Sequence, residues 1–290
     1  MALLHVGFYS QMLRMQSSMD VILPETNQGI GVGGAPPWDG KSLLPVLYLL
    51  HGTTDDQTIW QRRTSIERYA AGRPLAVVMP NGHLSAYCNQ KYGHRYLDFI
   101  TTELPEICQK MFRISPERKD NFIAGLSMGG YGALKAGLNC PDRYAYVAGL
   151  SSGVDRLAHL PEQWRDFSGP EDFESLRTEN FPLWDQLVHF AMNFGSPREY
   201  LGSEENNLFL LVRRLAERGT QLPELYLACG TEDNLAWEPN QRFRALLDEL
   251  NIPYTWEDTP GVHEWRVWDL FIQSVLDKLP IENNYSAIIQ

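Results

Sequence analysis

The sequence predicts an α/β protein, a mostly parallel central sheet with helices on both faces. Three observations point to it. Short continuous apolar runs such as Val46-Leu47-Tyr48-Leu49-Leu50 and Leu75-Ala76-Val77-Val78-Met79 stop at His51-Gly52 and Pro80-Asn81-Gly82, as parallel strands buried on both faces do. Between such runs, apolar residues recur at steps of three and four. Finally, Gly125-Leu126-Ser127-Met128-Gly129 lies between the apolar run Phe122-Ile123-Ala124 and the small-residue, helix-compatible run Tyr131 to Ala136. That context describes a strand turning sharply into a helix.

Taken in order, residues 3–10 and 12–23 are mixed-polarity runs that form an antiparallel opening pair of strands. Residues 25–44 form a loop. Within it Gly29-Ile30-Gly31-Val32-Gly33-Gly34 has the spacing of a dinucleotide fingerprint, but it runs into Ala35-Pro36-Pro37-Trp38, which cannot open a helix directly. Strands follow at 46–50 and 75–79, then at 122–124, 146–150 and 225–228. Leu97, Ile100, Leu104, Ile107, Cys108 and Met111 mark one helix; Phe243, Leu246, Leu247 and Leu250, after Pro239, mark another. Residues 154–221 break the alternation with Trp164, Phe167, Phe173, Phe181 and Trp184 among Pro, Glu and Asp. They are expected to form an insertion over the active face, a lid on a single domain spanning 1–290.

Composition narrows the function classes. A chain of 290 residues with 43% hydrophobic content can bury one α/β core. A formal charge of -11 argues against nucleic acid as a partner, because phosphate binding needs clustered Lys and Arg. The first ten residues lack the basic start, apolar core and cleavage site of a signal peptide, and no run approaches the roughly 20 apolar residues of a membrane span. The expectation is a cytoplasmic protein with no membrane partner. Cys88, Cys108, Cys140 and Cys229 are scattered without a C-x-x-C pair and are expected to be reduced thiols.

The strand-to-helix turn carries the chemistry. It would strain the backbone at Ser127 and lift its hydroxyl clear of the sheet, while the N–H of Met128 at the helix start would face a developing oxyanion. A serine hydroxyl needs a base, and the base needs a third group to set its tautomer. Histidine suits the task because its ordinary pKa, about 6.5, lies near working pH. In α/β-hydrolases the chain order is Ser, acid, His. His263, in Thr259-Pro260-Gly261-Val262-His263-Glu264-Trp265, is the base in that order, on a loop after a strand. Asp233, just beyond the strand Leu225 to Ala228, is the favoured acid, with Glu232 and Asp258 as rivals. Asp258 is too near His263 in sequence to come from a separate strand end. The second oxyanion donor should follow an early strand, which selects the N–H of Thr53; His51 beside it is expected to be structural. His83, Cys88 and His94 lack a recognised metal spacing, so neither metal nor other cofactor is expected.

At Leu49-Leu50-His51-Gly52, Trp60, Met79-Pro80-Asn81, Gly125 to Gly132, Gly230-Thr231-Glu232-Asp233 and His263-Glu264-Trp265 the chain resembles the esterase D and tributyrin-esterase-like group of α/β-hydrolases. The resemblance runs nearly end to end. It implies a serine carboxylesterase acting on short acyl esters, acetyl to butyryl, acetylated sugars among them. S-formylglutathione-type thioesters and feruloyl esters are the enzymatic alternatives, and an inactive hydrolase fold used for binding is the non-enzymatic one. The same resemblance implies Ser127 as nucleophile, His263 as base, Asp233 as acid, Thr53 and Met128 as oxyanion donors, and Trp60 near the acyl pocket. The loop at 28–37 and the segment 154–200 depart from the short-chain esterases. Oligomeric state is left open, a homo-oligomer included.

Overall fold

The computed structural model describes residues 1–26, 38–158 and 160–281. Its strands are β1 (Ala2–Ser10), β2 (Met15–Leu23), β3 (Val46–Leu50), β4 (Ala76–Pro80), β5 (Asn121–Leu126), β6 (Tyr146–Leu150), β7 (Glu224–Gly230) and β8 (Thr255–Thr259). They form one sheet in the order β1-β2-β4-β3-β5-β6-β7-β8. The opening hairpin is antiparallel, and β2 joins β4 antiparallel. From β4 to β8 every pairing is parallel. The Gly29 to Gly34 run lies outside the described residues.

Helices cover both faces. The connection from β3 to β4 holds α1 (Ile59–Arg63) and α2 (Ile66–Ala70). Before β5 come α3 (Tyr96–Asp98) and α4 (Leu104–Met111), joined by a π-helical turn over Phe99–Glu103. The expected helix through Leu97 and Leu104 is therefore present but widened in its middle; Met111, at its end, is exposed rather than core. After β5 comes α5 (Met128–Asn139). Between β6 and β7 lie α6 (Phe173–Leu176), α7 (Phe181–Phe194), α8 (Pro197–Gly202) and α9 (Leu208–Glu217). The chain closes with α10 (Trp237–Glu249) before β8 and α11 (Trp265–Lys278) after it.

Strand alternation divides the core in two. Tyr48, Leu50, Ile123 and Val147 face a layer that includes Tyr131 and Leu134 of α5 and Phe243 of α10. Leu47, Leu49, Phe122 and Ala124 face the other layer, with Trp60 of α1 and Val267, Trp268 and Phe271 of α11. All of β3, β4, β5 and β6 is buried, which explains why these strands appear as unbroken apolar runs. Among the described residues, no helix is long and apolar enough to cross a membrane.

Parallel strands put their carboxyl ends on one rim, and β3 and β5 are held there at close range. A Cβ on Gly125 would come 2.4 Å from the carbonyl carbon and oxygen of Gly129. One on Gly129 would come 2.5 Å from the carbonyl oxygen of Leu50, at the end of β3. Glycine is thus required on both sides of the turn, because only backbone is there to yield. Beside it, His51 is fixed from two directions. The Gly82 N–H donates to its Nε2 at 2.8 Å, so Nδ1 carries the proton and donates to the Gly52 carbonyl at 2.7 Å. That second bond holds the Gly52–Thr53 peptide by its carbonyl, and His51 is structural, as expected. Burial pushes its pKa down to about 4.

Two outcomes follow from this rim. Gly125→Ala forces backbone against backbone and should lower stability by more than about 2 kcal/mol in urea unfolding. A change within about 0.5 kcal/mol would show that the turn can relax. Because the folded state holds His51 neutral, the unfolded chain takes up its proton first as pH falls, so stability is full above about pH 6.5 and declines toward about pH 4. His51→Gln keeps an acceptor for Gly82 and removes the proton site. The pH slope of unfolding free energy across that window should flatten, by up to about 3 kcal/mol in total. An unchanged slope would mean that His51 is charged in the fold.

Candidate active site

The sharp turn at the end of β5 puts Ser127 at φ 51 and ψ -113, in the left-handed region that side chains rarely enter. Neighbouring backbone holds it there. The Ser127 N–H donates to Leu150 of β6 at 2.8 Å, and its carbonyl accepts from Tyr131 at 3.0 Å and Gly153 at 3.1 Å. The hydroxyl is therefore presented at the rim of the sheet by bonds that do not involve it.

It meets a histidine there. His263 Nδ1 lies 2.7 Å from Asp233 Oδ2, and His263 Nε2 lies 2.9 Å from Ser127 Oγ. With a carboxylate at Asp233, Nδ1 carries the proton, leaving Nε2 to accept from the serine hydroxyl. Asp233 is fully buried. Burial alone would raise its pKa, but the His263 hydrogen bond and charge and the Ala236 N–H outweigh it, holding the carboxyl below its ordinary range. Its other oxygen accepts from the N–H groups of Leu235 and Ala236 at 3.0 and 2.9 Å. The rivals are placed elsewhere: Glu232 and Asp258 are exposed, and Asp258 takes the Trp256 indole N–H at 2.6 Å.

The loops carrying Asp233 and His263 are locked to each other. Thr231 N–H donates to Thr259 at 2.9 Å, and Glu232 N–H donates to Gly261 at 3.0 Å. A Cβ on Gly230 would sit 2.3 Å from the Gly261 carbonyl oxygen, so this approach also depends on a glycine. Thr53 and Met128 both line the cavity beside Ser127, and among the described residues neither backbone N–H has a backbone acceptor. Thr54, next to Thr53, has φ 68, a strained loop conformation.

Trp60 does not take the place expected of it. It is fully buried and outside the cavity lining, its indole N–H donating to the Leu50 carbonyl at 3.1 Å. Its ring packs edge-on against Trp265 at 5.2 Å, Trp265 against Trp268 at 5.3 Å, and Trp268 against His263 at 4.8 Å. Trp60 is thus the far end of an aromatic stack behind the histidine, and Trp268 is the member that reaches the cavity. A Trp five residues past a candidate base is a visible sequence signal, but nothing in its spacing distinguishes it from core.

The cavity above Ser127 has a volume of about 400 Å³. Its walls include Leu160, Asp185, His189 and Phe190 from the segment between β6 and β7, and Arg156 from the loop after β6. The aromatics expected to line it mostly do not. Phe167, Phe173 and Trp184 pack on one another, and Phe167 packs on Phe190 at 6.1 Å, so Phe190 carries that cluster to the cavity. The cysteines are free thiols. Cys88 Sγ donates to the Ser85 carbonyl, and His83 Nδ1 lies 3.0 Å from the Tyr96 hydroxyl. Among the described residues, no cluster of three or more His, Cys, Asp or Glu could hold a metal.

Comparison with known proteins shows the family. Residues 25–277 match the family described as "Putative esterase". An acetyl esterase of Caldicellulosiruptor saccharolyticus is 28% identical over 280 residues, covering 96% of this chain and 97% of its own. The substrate-bound fluorophosphonate-binding serine hydrolase F of Staphylococcus aureus superposes with a TM-score of 0.76 at 33% identity, covering 96% of this chain and 98% of its own. S-formylglutathione hydrolase (FrmB) of Staphylococcus aureus does so with a TM-score of 0.73 at 32% identity and the same coverage. With a serine at a strained strand-to-helix turn and relatives of this kind along nearly its whole length, the chain belongs to the esterase family of the α/β-hydrolase superfamily and is a serine ester hydrolase.

Proposed function

We propose that the protein hydrolyses short-chain acyl esters, acetyl to butyryl, acetylated sugars among them, through an acyl-enzyme on Ser127. The hydrogen-bonded series Ser127 Oγ, His263 Nε2, His263 Nδ1 and Asp233 Oδ2 carries the reading. Ser127 Oγ attacks the ester carbonyl carbon while His263 Nε2 takes its proton. The carbonyl oxygen becomes an oxyanion received by the N–H groups of Thr53 and Met128. The ester C–O bond then breaks, and His263 gives its proton to the departing alcohol. Water, deprotonated by His263, attacks the acyl-enzyme; the acid leaves and Ser127 regains its proton. Asp233 keeps the imidazole oriented and stabilises its cation. The whole chain serves as one hydrolase domain, with residues 154–221 forming a wall over the site, a role supported by Phe190 and His189 in the cavity lining. Likeness to an S-formylglutathione hydrolase at 32% identity supports a second reading, thioester hydrolysis at the same serine.

Ser127→Ala should abolish labelling by a fluorophosphonate and lower turnover by several orders of magnitude with the fold intact by circular dichroism. Near-normal turnover would contradict the assignment. Asp233→Asn should cost far more in kcat than Asp258→Asn, because only Asp233 reaches the imidazole; the opposite ranking would move the acid.

A cavity of about 400 Å³ with Phe190 in its wall favours small acyl groups. Acetyl to butyryl esters should outrun octanoyl esters in kcat/KM, and Phe190→Ala should narrow that gap by about 1–3 kcal/mol. Trp60→Ala, by contrast, should cost about 3–5 kcal/mol of stability while leaving the chain-length profile in place. A profile that moves with Trp60 and not with Phe190 would return Trp60 to the acyl pocket.

A further inference from the structure

Among the described residues, one cation of the cavity wall, Arg156, has no ion-pair partner. Arg156 stands three residues beyond Gly153, whose N–H is bonded to the Ser127 carbonyl at 3.1 Å. A Cβ on Gly153 would come 2.7 Å from Arg156 Nη1, so the guanidinium lies against the peptide that backs Ser127. Of the carboxylates near it or in the cavity wall, Asp55 forms no ion pair among the described residues, and three others are engaged elsewhere. Its neighbour Asp155 pairs with Arg242 at 2.8 Å, Asp185 pairs with His189 at 3.2 Å, and Asp233 holds His263. Among the described residues Arg156 forms no ion pair, and its Nε is buried without a hydrogen-bond partner.

A second cation, Lys135, shares its aromatic support, with the Glu205 carboxylate near enough to act on it. Arg156 Cζ lies 5.5 Å from the centroid of the Tyr131 ring, and Lys135 Nζ lies 5.3 Å from the same centroid. Lys135 is fully buried, and its ammonium donates to the neutral Asn206 Oδ1 at 3.0 Å. An aromatic face and an amide stabilise cations without neutralising them. A buried, unpaired guanidinium N–H in the wall of the Ser127 cavity is costly unless something accepts from it.

We propose that Arg156 recognises a carboxylate on the substrate, so that the preferred esters are those whose acyl or alcohol part carries an acid group. The inference rests on Ser127 hydrolysis as described above and adds the substrate class. A planar guanidinium fork matches a carboxylate with two parallel hydrogen bonds. A dianion fits less well, because Asp55 and Asp185 also line the cavity. Benzoate- and glutarate-type substrates separate the two places the carboxylate could occupy.

The test compares ester pairs that differ only in carboxylate against carboxamide. For the alcohol side these are 4-acetoxybenzoate and 4-acetoxybenzamide; for the acyl side, ethyl hydrogen glutarate and ethyl glutaramate. The wild-type protein should favour the carboxylate member of one pair by at least about tenfold in kcat/KM, the size of one charge-assisted contact. Arg156→Gln should bring that ratio to near one, and Arg156→Lys should keep part of it. A wild-type ratio near or below one in both pairs overturns the proposal, as does a preference that survives Arg156→Gln. The wild-type ratios decide the matter even if a variant fails to fold. Fluorophosphonate labelling of Ser127 with flat ratios would sink the carboxylate inference alone, whereas loss of both labelling and turnover in the wild type would sink the hydrolase reading with it.

Discussion

Everything at this site depends on the backbone of Ser127 being held at φ 51, a conformation an L-residue adopts only when its surroundings over-determine it. Here the surroundings are backbone. A hydrogen bond to the Leu150 carbonyl and bonds from the Gly153 and Tyr131 N–H groups fix the two peptides of Ser127, and the glycines at 125 and 129 let α5 approach the ends of β3 and β5. The cost of the strained residue is met by the parallel sheet and its covering helices. The side chain is left with no structural duty, and its hydroxyl is free to engage His263.

Parallel topology does the rest of the gathering. Thr53 follows β3, Ser127 follows β5, Gly153 and Arg156 follow β6, Asp233 follows β7 and His263 follows β8, so five connections meet on one rim. Precision comes from contacts between those connections. Gly230 and Gly261 let the acid and histidine loops interlock, His51 fixes the peptide that bears the Thr53 N–H, and the Trp60, Trp265 and Trp268 stack backs the imidazole. The polar relay sits on apolar support, which excludes water and keeps the hydrogen bonds strong.

The parts legible in the sequence are those with a local physical signature. Buried parallel strands must be apolar throughout, so β3, β4 and β6 stood out as runs; a strained turn between backbone elements needs flanking glycines, so Ser127 was marked by its neighbours. Chain order after the turn then picked out Asp233 and His263, which the structure brings together. Trp60 lies outside the cavity because adjacency in sequence to the loop after β3 does not say how deeply a side chain is buried, and α1 packs it beneath the rim against Leu50 and Trp265. Arg156, His189 and Phe190 carry no spacing signal. They reach the site through the packing of the 154–221 segment, a tertiary outcome that composition cannot specify, and the same packing draws Phe167 and Phe173 away from the cavity they were expected to line.

The most direct test of the account is to mix the protein with a chromogenic acetyl ester, quench within the first turnover, and locate the acetyl group by peptide mass spectrometry. If the strained turn presents the nucleophile, a burst of one chromophore per chain should accompany acetylation of the peptide containing Ser127, at its hydroxyl. Acetylation at another residue, or turnover with no acyl-enzyme under conditions where deacylation limits the rate, would contradict it.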